Sequence, residues 1–164
     1  MDRFERLAGA LRRIPGLEVR ENEPMKRHTT FRIGGPARLM ALPRSRKEAA
    51  AAVQAATEAG IAPFFLGNGS NLLVADHGYE GFVLKACGLD QVREVNRRLR
   101  AESGITLARL ANAALGRGLT GLEFAHGIPG TLGGAVVMNA GAYGGEMVQV
   151  LTAVTYLDGA GEEH

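Results

Sequence analysis

The sequence is poor in several residue types. Its 164 residues include one cysteine, Cys87, and no tryptophan, and aromatic residues make up only 5%. A single thiol excludes a disulfide framework and a thiolate zinc site, and it fits a reducing compartment. The four histidines, His28, His77, His126 and His164, have no metal-ligand spacing. No apolar run reaches the ~18 residues that a membrane-spanning helix needs. The opening MDRFERLAGALRRI is charged throughout and has no apolar signal core, so a cytoplasmic protein is expected. Charge of one sign is also lacking: 19 basic against 17 acidic residues leave a net +2, too balanced for a dedicated nucleic-acid binder.

Other features stand out by abundance. Hydrophobic residues reach 46% and charged residues 22%, enough for a packed core. The length suits one domain or two small subdomains and falls short of the ~250 residues of a barrel enzyme. Sixteen of the 19 basic residues are arginine. That bias fits either planar recognition of phosphate and carboxylate or the composition of the genome or of a heat-adapted host. Glycine is the outlier, with 23 residues, about twice its usual share.

Apolar spacing predicts a first short helix through Phe4, Leu7, Ala8 and Leu11, stopped at Pro15-Gly16. Residues 20–30 read as a loop and 37–42 as a strand. Ser45 with Glu48 has capping-box spacing ahead of an alanine-rich helix that ends at Gly60. Runs at 62–66, 72–75 and 82–86 read as buried strands, which makes 37–86 a βαβ unit with further strands. One strand with a basic edge is expected at 91–101, and a helix at 106–117 with Thr106 as its cap. Gly133-Gly134 is expected to lead into a strand, AVVM, and 148–157 into another. Asp158-Gly159 then signals a hairpin whose partner strand would begin where the sequence stops, the pattern of a piece of a longer protein.

Three segments carry chemistry. In LGNGSNLLV, a strand runs into Gly67-Asn68-Gly69-Ser70-Asn71. Glycine and asparagine tolerate positive φ, so successive backbone N–H groups can form an anion-binding nest. A plain turn between strands is the alternative. The loop lacks the Gly-Lys-Ser/Thr of a Walker motif, and strand residues rather than a helix follow it. GLEFAHGIPGTLGGAVVMNAGAYGGE, Gly121 to Glu146, holds eight glycines. It reads as a backbone slot for a flat or phosphorylated ligand, or as close packing between subdomains. Within it, Asn139 to Tyr143 offers one amide and one aromatic. HTTFRIGGPA, His28 to Ala37, offers Thr29, Thr30 and Arg32 as donors ahead of a turn.

Taken together, in this order and spacing, the three segments resemble the UDP-N-acetylenolpyruvoylglucosamine reductases, flavoenzymes of bacterial cell-wall synthesis. The long glycine motif is the most specific, and the likeness runs over residues 24–158. The resemblance implies an α+β, two-subdomain FAD-binding fold of the vanillyl-alcohol-oxidase type. Subdomain one would be residues 1–86 and subdomain two residues 87–164, without the family's C-terminal substrate domain. It implies non-covalent FAD. Leu66, Gly67, Asn68, Gly69, Ser70, Asn71 and Leu72 would hold its pyrophosphate. Gly127, Ile128, Pro129, Gly130, Gly133, Gly134 and Ala135 would run along the flavin and ribityl chain, and Asn139, Ala140 and Gly141 would complete the pocket. The implied reaction passes hydride from NADPH to the flavin and then to the enolpyruvyl group of a UDP-sugar, completing UDP-N-acetylmuramate. The family's Tyr-Arg pair, serine acid and glutamate fall beyond His164, so no catalytic acid carries over and this chain alone is expected to be inactive. An FAD-binding module or subunit of another oxidoreductase of the same fold is the alternative. Neither family nor composition fixes an oligomeric state.

Some residues divide between two roles. Arg93, Arg97, Arg98 and Arg100 suit a sugar-nucleotide phosphate or a solvated strand edge. Glu123 suits a ligand hydroxyl or the cap of its own turn. His126 and Cys87 could carry a flavin covalently, but the resemblance is to a family with non-covalent FAD, and a small buried side chain is the ordinary role for Cys87.

Overall fold

The computed structural model describes residues 2–164, which form two compact units. One runs to Gly88 and takes in Thr155–His164; the other is Leu89–Val154. The second boundary thus lies before the final ten residues, which the subdomain expectation had kept with residues 87–154.

The first unit is built on a four-stranded sheet of β1 (Glu18–Pro24), β2 (Pro36–Leu42), β3 (Pro63–Leu66) and β4 (Tyr79–Lys85). Their order is β1-β2-β4-β3, with β1 antiparallel to β2 and the other pairs parallel. The expected βαβ unit is therefore split, because β4 slots between β2 and β3. Helices α1 (Arg3–Leu11) and α2 (Arg46–Glu58) pack on one face, burying Leu7, Leu11, Ala52 and Ala56 against Leu39, Ala41, Phe82 and Leu84. The alanine stripe of α2 provides this close approach. On the other face, Met40 and Val83 pack with Met25, Ala37 and Leu66. Burial on both faces explains the continuous apolar run of β2. Half of the capping box forms: Glu48 N–H donates to Ser45 Oγ (3.2 Å), but the Glu48 carboxylate accepts from Ser45 Oγ (2.9 Å) and from Arg44 N–H (2.8 Å) in place of the Ser45 backbone N–H.

Two expectations fail here. Residues 20–30 are not a loop, because β1 extends to Pro24 and a 3-10 turn follows at Met25–Arg27. As an edge strand, β1 keeps most of its charge at the surface and buries only Glu23, with Arg20 lying across Glu18 and Glu23. Residues 72–75 are irregular, not a strand. Leu72 and Val74 reach the lower core, but the backbone is held by contacts such as Gly35 N–H to Ala75 O (2.9 Å).

The second unit contains the hairpin β5 (Val92–Val95) and β6 (Arg98–Ala101), α3 (Leu107–Leu115), α4 (Leu132–Met138) and a miniature hairpin, β7 (Gly141–Ala142) with β8 (Gly145–Glu146). Its core gathers Leu107, Phe124, Ala125, Ala135 and Met147. The single strand expected at 91–101 turns back on itself. Asn96 and Arg97 both take positive φ (51° and 58°), the two-residue turn that suits strand twist. AVVM is helical. Short apolar runs do not separate strand from helix, and here Ala135 is buried in the core and Val136 packs against it while Val137 is 84% exposed. Thr106 caps α3 as expected, accepting from Arg109 N–H at 3.4 Å. No strand forms over 148–157: Met147–Gln149 is a 3-10 turn.

Back in the first unit, the Asp158 turn does form. Asp158 N–H donates to Glu162 O, and Leu157 bridges Glu163. Among the described residues no helix is long and apolar enough to cross a membrane.

Candidate functional site

The expected site residues fall into two groups, one in each unit. Leu66 to Leu72 occupy the first. Leu66 is buried at the C-terminal end of β3, in register with Lys85 at the end of β4. The loop therefore leaves the carboxyl edge of parallel strands, where ligands of open α/β sheets gather. Gly69 has φ +68° and is buried, and a Cβ there would stand 2.1 Å from the His28 carbonyl oxygen, so no other residue fits. Thr30 N–H donates to Gly69 O at 3.1 Å. Thus HTTFRIGGPA, the weakest of the three segments by sequence, is the shelf on which the loop rests. Its Thr29 is turned inward, with Oγ1 donating to Ile33 O at 3.2 Å.

Beneath that shelf lies a polar cluster that sequence reasoning missed. His28 is only 7% exposed. Its Nε2 is 2.8 Å from Glu23 Oε1 and its Nδ1 is 2.9 Å from Lys85 Nζ. A carboxylate only accepts and an ammonium only donates. The ring is therefore neutral, giving its Nε2–H to Glu23 and taking a proton donor from Lys85 at Nδ1. Burial is the main cause that holds the His28 pKa below its ordinary value, with Lys85 adding to it and the Glu23 hydrogen bond opposing. Burial alone would raise Glu23, but hydrogen bonds from His28 and Arg20 outweigh it and hold the carboxyl below its usual range. Lys85 and His28 are 57 residues apart, so no motif spacing announces the pair. Leu72 also lines a largely apolar cavity of about 170 Å³ with Met25, Phe64, Val74 and Tyr79.

In the second unit, Gly127, Ile128, Pro129 and Gly130 form a turn tied down by Leu107 N–H to Gly130 O (3.1 Å). Gly133 and Gly134 form the first turn of α4. Gly133 N–H donates to Ser103 O at 2.7 Å, while Gly134 is exposed and a Cβ there would meet only Thr131 Oγ1, at 3.7 Å. Ala135 is buried in the core. Asn139 ends α4 in the left-handed conformation (φ 44°), and Ala140 and Gly141 lead into the miniature hairpin. The Asn139 amide is occupied: Nδ2 donates to Glu146 Oε2 (2.9 Å) and Oδ1 accepts from Val148 N–H (2.9 Å). These bonds fix the orientation of the exposed amide, and the Asn139 backbone N–H donates to Val136 O at 3.2 Å. Glu123 accepts from Gly121 N–H at 2.8 Å, just ahead of the 3-10 turn at Glu123–Ala125, which has no side-chain cap. A groove of about 520 Å³ is lined by Gly121, Glu123, Phe124, Tyr143 and Gln149; Glu123 and Tyr143 are candidate ligand contacts by sequence, but none of the residues expected along the FAD borders it.

Both groups suit a dinucleotide. The 66–72 loop contains no acidic residue, and the N–H groups of exposed Asn68 and Asn71 have no acceptor among the described residues. The 127–141 segment carries no charged side chain and leaves Val137, Met138 and Gly134 open to a flat ring. Among the described residues no group of His, Cys, Asp and Glu could hold a metal ion. Cys87 is half-buried, and burial raises its thiol pKa, with Lys85 opposing, so it is no ready nucleophile.

Comparison with known proteins decides the cofactor class. The FAD binding domain family matches residues 37–164. The chain belongs to the FAD-binding domain family. Among curated relatives, the UDP-N-acetylenolpyruvoylglucosamine reductase of Caldanaerobacter subterraneus subsp. tengcongensis is 53% identical over 137 residues, covering 84% of this chain and 45% of that protein. The crystal structure of the reductase from Thermus caldophilus superposes with a TM-score of 0.71 at 37% identity, over 90% of this chain and 51% of that one. Glucooligosaccharide oxidase from Acremonium strictum reaches the same TM-score at 19% identity, over 97% of this chain and 36% of the oxidase, and shares the fold alone. The fold is thus the two-part FAD-binding fold of the vanillyl-alcohol-oxidase type. This FAD-binding domain spans about half the length of the curated relatives it matches.

Proposed function

We propose that this FAD-binding domain serves an NADPH-dependent reductase that converts UDP-N-acetylglucosamine enolpyruvate to UDP-N-acetylmuramate in the cytoplasm. The observation that carries the substrate class is the 53% identity to a protein bearing that reductase name. The TM-score does not separate the reductase from the oxidase, since both stand at 0.71; identity does, at 37% against 19%.

In this proposal the two units act as two subdomains. Leu66–Leu72 hold the FAD pyrophosphate through backbone N–H groups. The backbone from Gly127 to Ala135 lies along the flavin and ribityl chain. Asn139, Ala140 and Gly141 complete the pocket, with the Asn139 amide oriented by Glu146 and Val148. When bound, FAD supplies hydride transfer. The chain's own part is to orient it, with fixed dipoles on the phosphates and small residues against the ring.

The test is spectroscopic. Purified protein mixed with FAD and passed through gel filtration should retain bands near about 375 and 450 nm, where oxidised flavin absorbs. The band at ~450 nm should bleach anaerobically with NADPH and return on adding the UDP-enolpyruvyl sugar. Folded protein that keeps no flavin overturns the cofactor assignment. In the complete reductase that this domain is proposed to serve, flavin that NADPH bleaches but that the UDP-sugar does not reoxidise overturns the substrate.

A further inference from the structure

The buried cluster beneath the 66–72 loop touches that loop at two points. At its start, Leu66 pairs in register with Lys85. At its tip, Gly69 sits against the backbone of His28, with the carbonyl oxygen 2.1 Å and Thr29 Cα 3.0 Å from where a Cβ would be. The backbone at both points is therefore carried by residues whose side chains bond to each other, Lys85 Nζ to His28 Nδ1 at 2.9 Å. His28 is held from its other side by Glu23, and Glu23 by Arg20 at 2.9 Å. The chain Arg20–Glu23–His28–Lys85 thus runs from an edge strand to the strand beside the loop. A backbone nest binds an anion only while its N–H groups converge, and a small displacement of either end spreads them.

We infer that the His28–Lys85 contact is a clamp that sets the shape of the 66–72 loop, with His28 a positioning residue for FAD that must be neutral for tight binding. The inference rests on the proposal that this loop takes the FAD pyrophosphate. Protonation at Nδ1 removes the acceptor that Lys85 uses and sets two cations face to face. The charged groups around the ring are Glu23 and Arg20 from β1, Arg27 from the 3-10 turn at 3.9 Å from Glu23, and Lys85 from β4. Only Glu23 favours the charged ring, and it already shares its carboxylate with Arg20 and Arg27. Acid therefore opens the Lys85 side of the clamp first.

Two variants separate the two halves of the ring. His28→Asn keeps an acceptor near the Nδ1 position for Lys85 but does not titrate. His28→Gln keeps a donor near the Nε2 position for Glu23 and loses the acceptor. FAD affinity is measured by flavin fluorescence between pH 8 and pH 5, with folding checked by circular dichroism. The Gly67 and Gly69 amide shifts of the flavin-free protein are followed by NMR over the same range. The expected result is that wild-type affinity weakens with acid, His28→Asn binds as wild type at pH 8 with a flat profile, and folded His28→Gln binds about tenfold weaker at every pH, the scale of one lost charge-assisted hydrogen bond. The glycine amides should move with the titration of His28 in the wild type and stand still in His28→Asn. If the amides do not follow His28, or if His28→Gln binds FAD as wild type while Gly69→Ala abolishes binding, the clamp is overturned. If the amides follow His28 while FAD affinity is indifferent to every loop variant, the clamp stands as a structural device and the pyrophosphate role of the loop, with the FAD part of this inference, falls.

Discussion

The two glycine-rich segments look alike in sequence and are held in opposite ways. The 66–72 loop rests on a buried, charged cluster: Glu23, His28 and Lys85 beneath it, and the His28 backbone pressed against Gly69. The 121–146 segment has no such support. It is pinned by main-chain bonds, Gly130 to Leu107 and Gly133 to Ser103, and by one asparagine amide. A nest for an anion gains from cations and a rigid floor. A slot for a flat ring needs small residues and open space. Glycine therefore serves two ends in one protein, an enforced backbone conformation in the first unit and an uncovered surface in the second.

Substitutions can break that contrast. The largest effect is expected of Gly69→Ala, where backbone meets Cβ at 2.1 Å and φ is positive. The cost should be at least about 3 kcal/mol, with FAD binding lost, read as a fall in Tm and by flavin titration. Next comes Asn139→Ala, which removes two hydrogen bonds and puts a left-handed φ on alanine. A loss of about 2 kcal/mol is expected, read by denaturant unfolding; Asn139→Gly should recover part of it by restoring the conformation alone.

Acid should act on the first unit, and by less. The His28 pKa is depressed from its ordinary 6.5, so the stability it lends is present above that pH and is lost as pH falls below it. The Glu23 pKa is depressed from 4.5, so a second loss follows as pH falls below that value. Unfolding curves at descending pH should show both windows, and His28→Asn should erase the first. The smallest stability change is expected of Gly134→Ala, whose Cβ meets nothing nearer than Thr131 Oγ1 at 3.7 Å. Stability should hold or rise by up to about 1 kcal/mol from helix propensity, while FAD affinity falls. Unchanged affinity would remove Gly134 from the flavin surface.

Much of this was legible before any coordinates. The Ser45 cap, the alanine stripe and the Thr106 cap all rest on local rules that tertiary contacts did not override. The failures share a cause. AVVM has no periodicity long enough to separate strand from helix, and β1 is a polar edge strand whose partner is β2. The Asn96-Arg97 turn lacks the glycine that usually marks it. At the site, the loop could be read but its floor could not, because Glu23, His28 and Lys85 meet only after β1 and β4 join one sheet. The amide of Asn139 is oriented by Glu146 and Val148, partners seven and nine residues away that no motif announces.

The last ten residues belong to the first unit. Leu157 packs against the core of α1 and α2, Thr57 donates to Gly159 O, and Arg46 pairs with Glu163 at 3.2 Å. On the ribosome, these contacts must wait until all of Leu89–Val154 has been made. At ~5–20 residues per second, the first unit spends several seconds with that side of its helices uncovered. The second unit is continuous in sequence and can close as soon as it emerges. Order of synthesis and order of completion are therefore reversed: the half begun first is finished last.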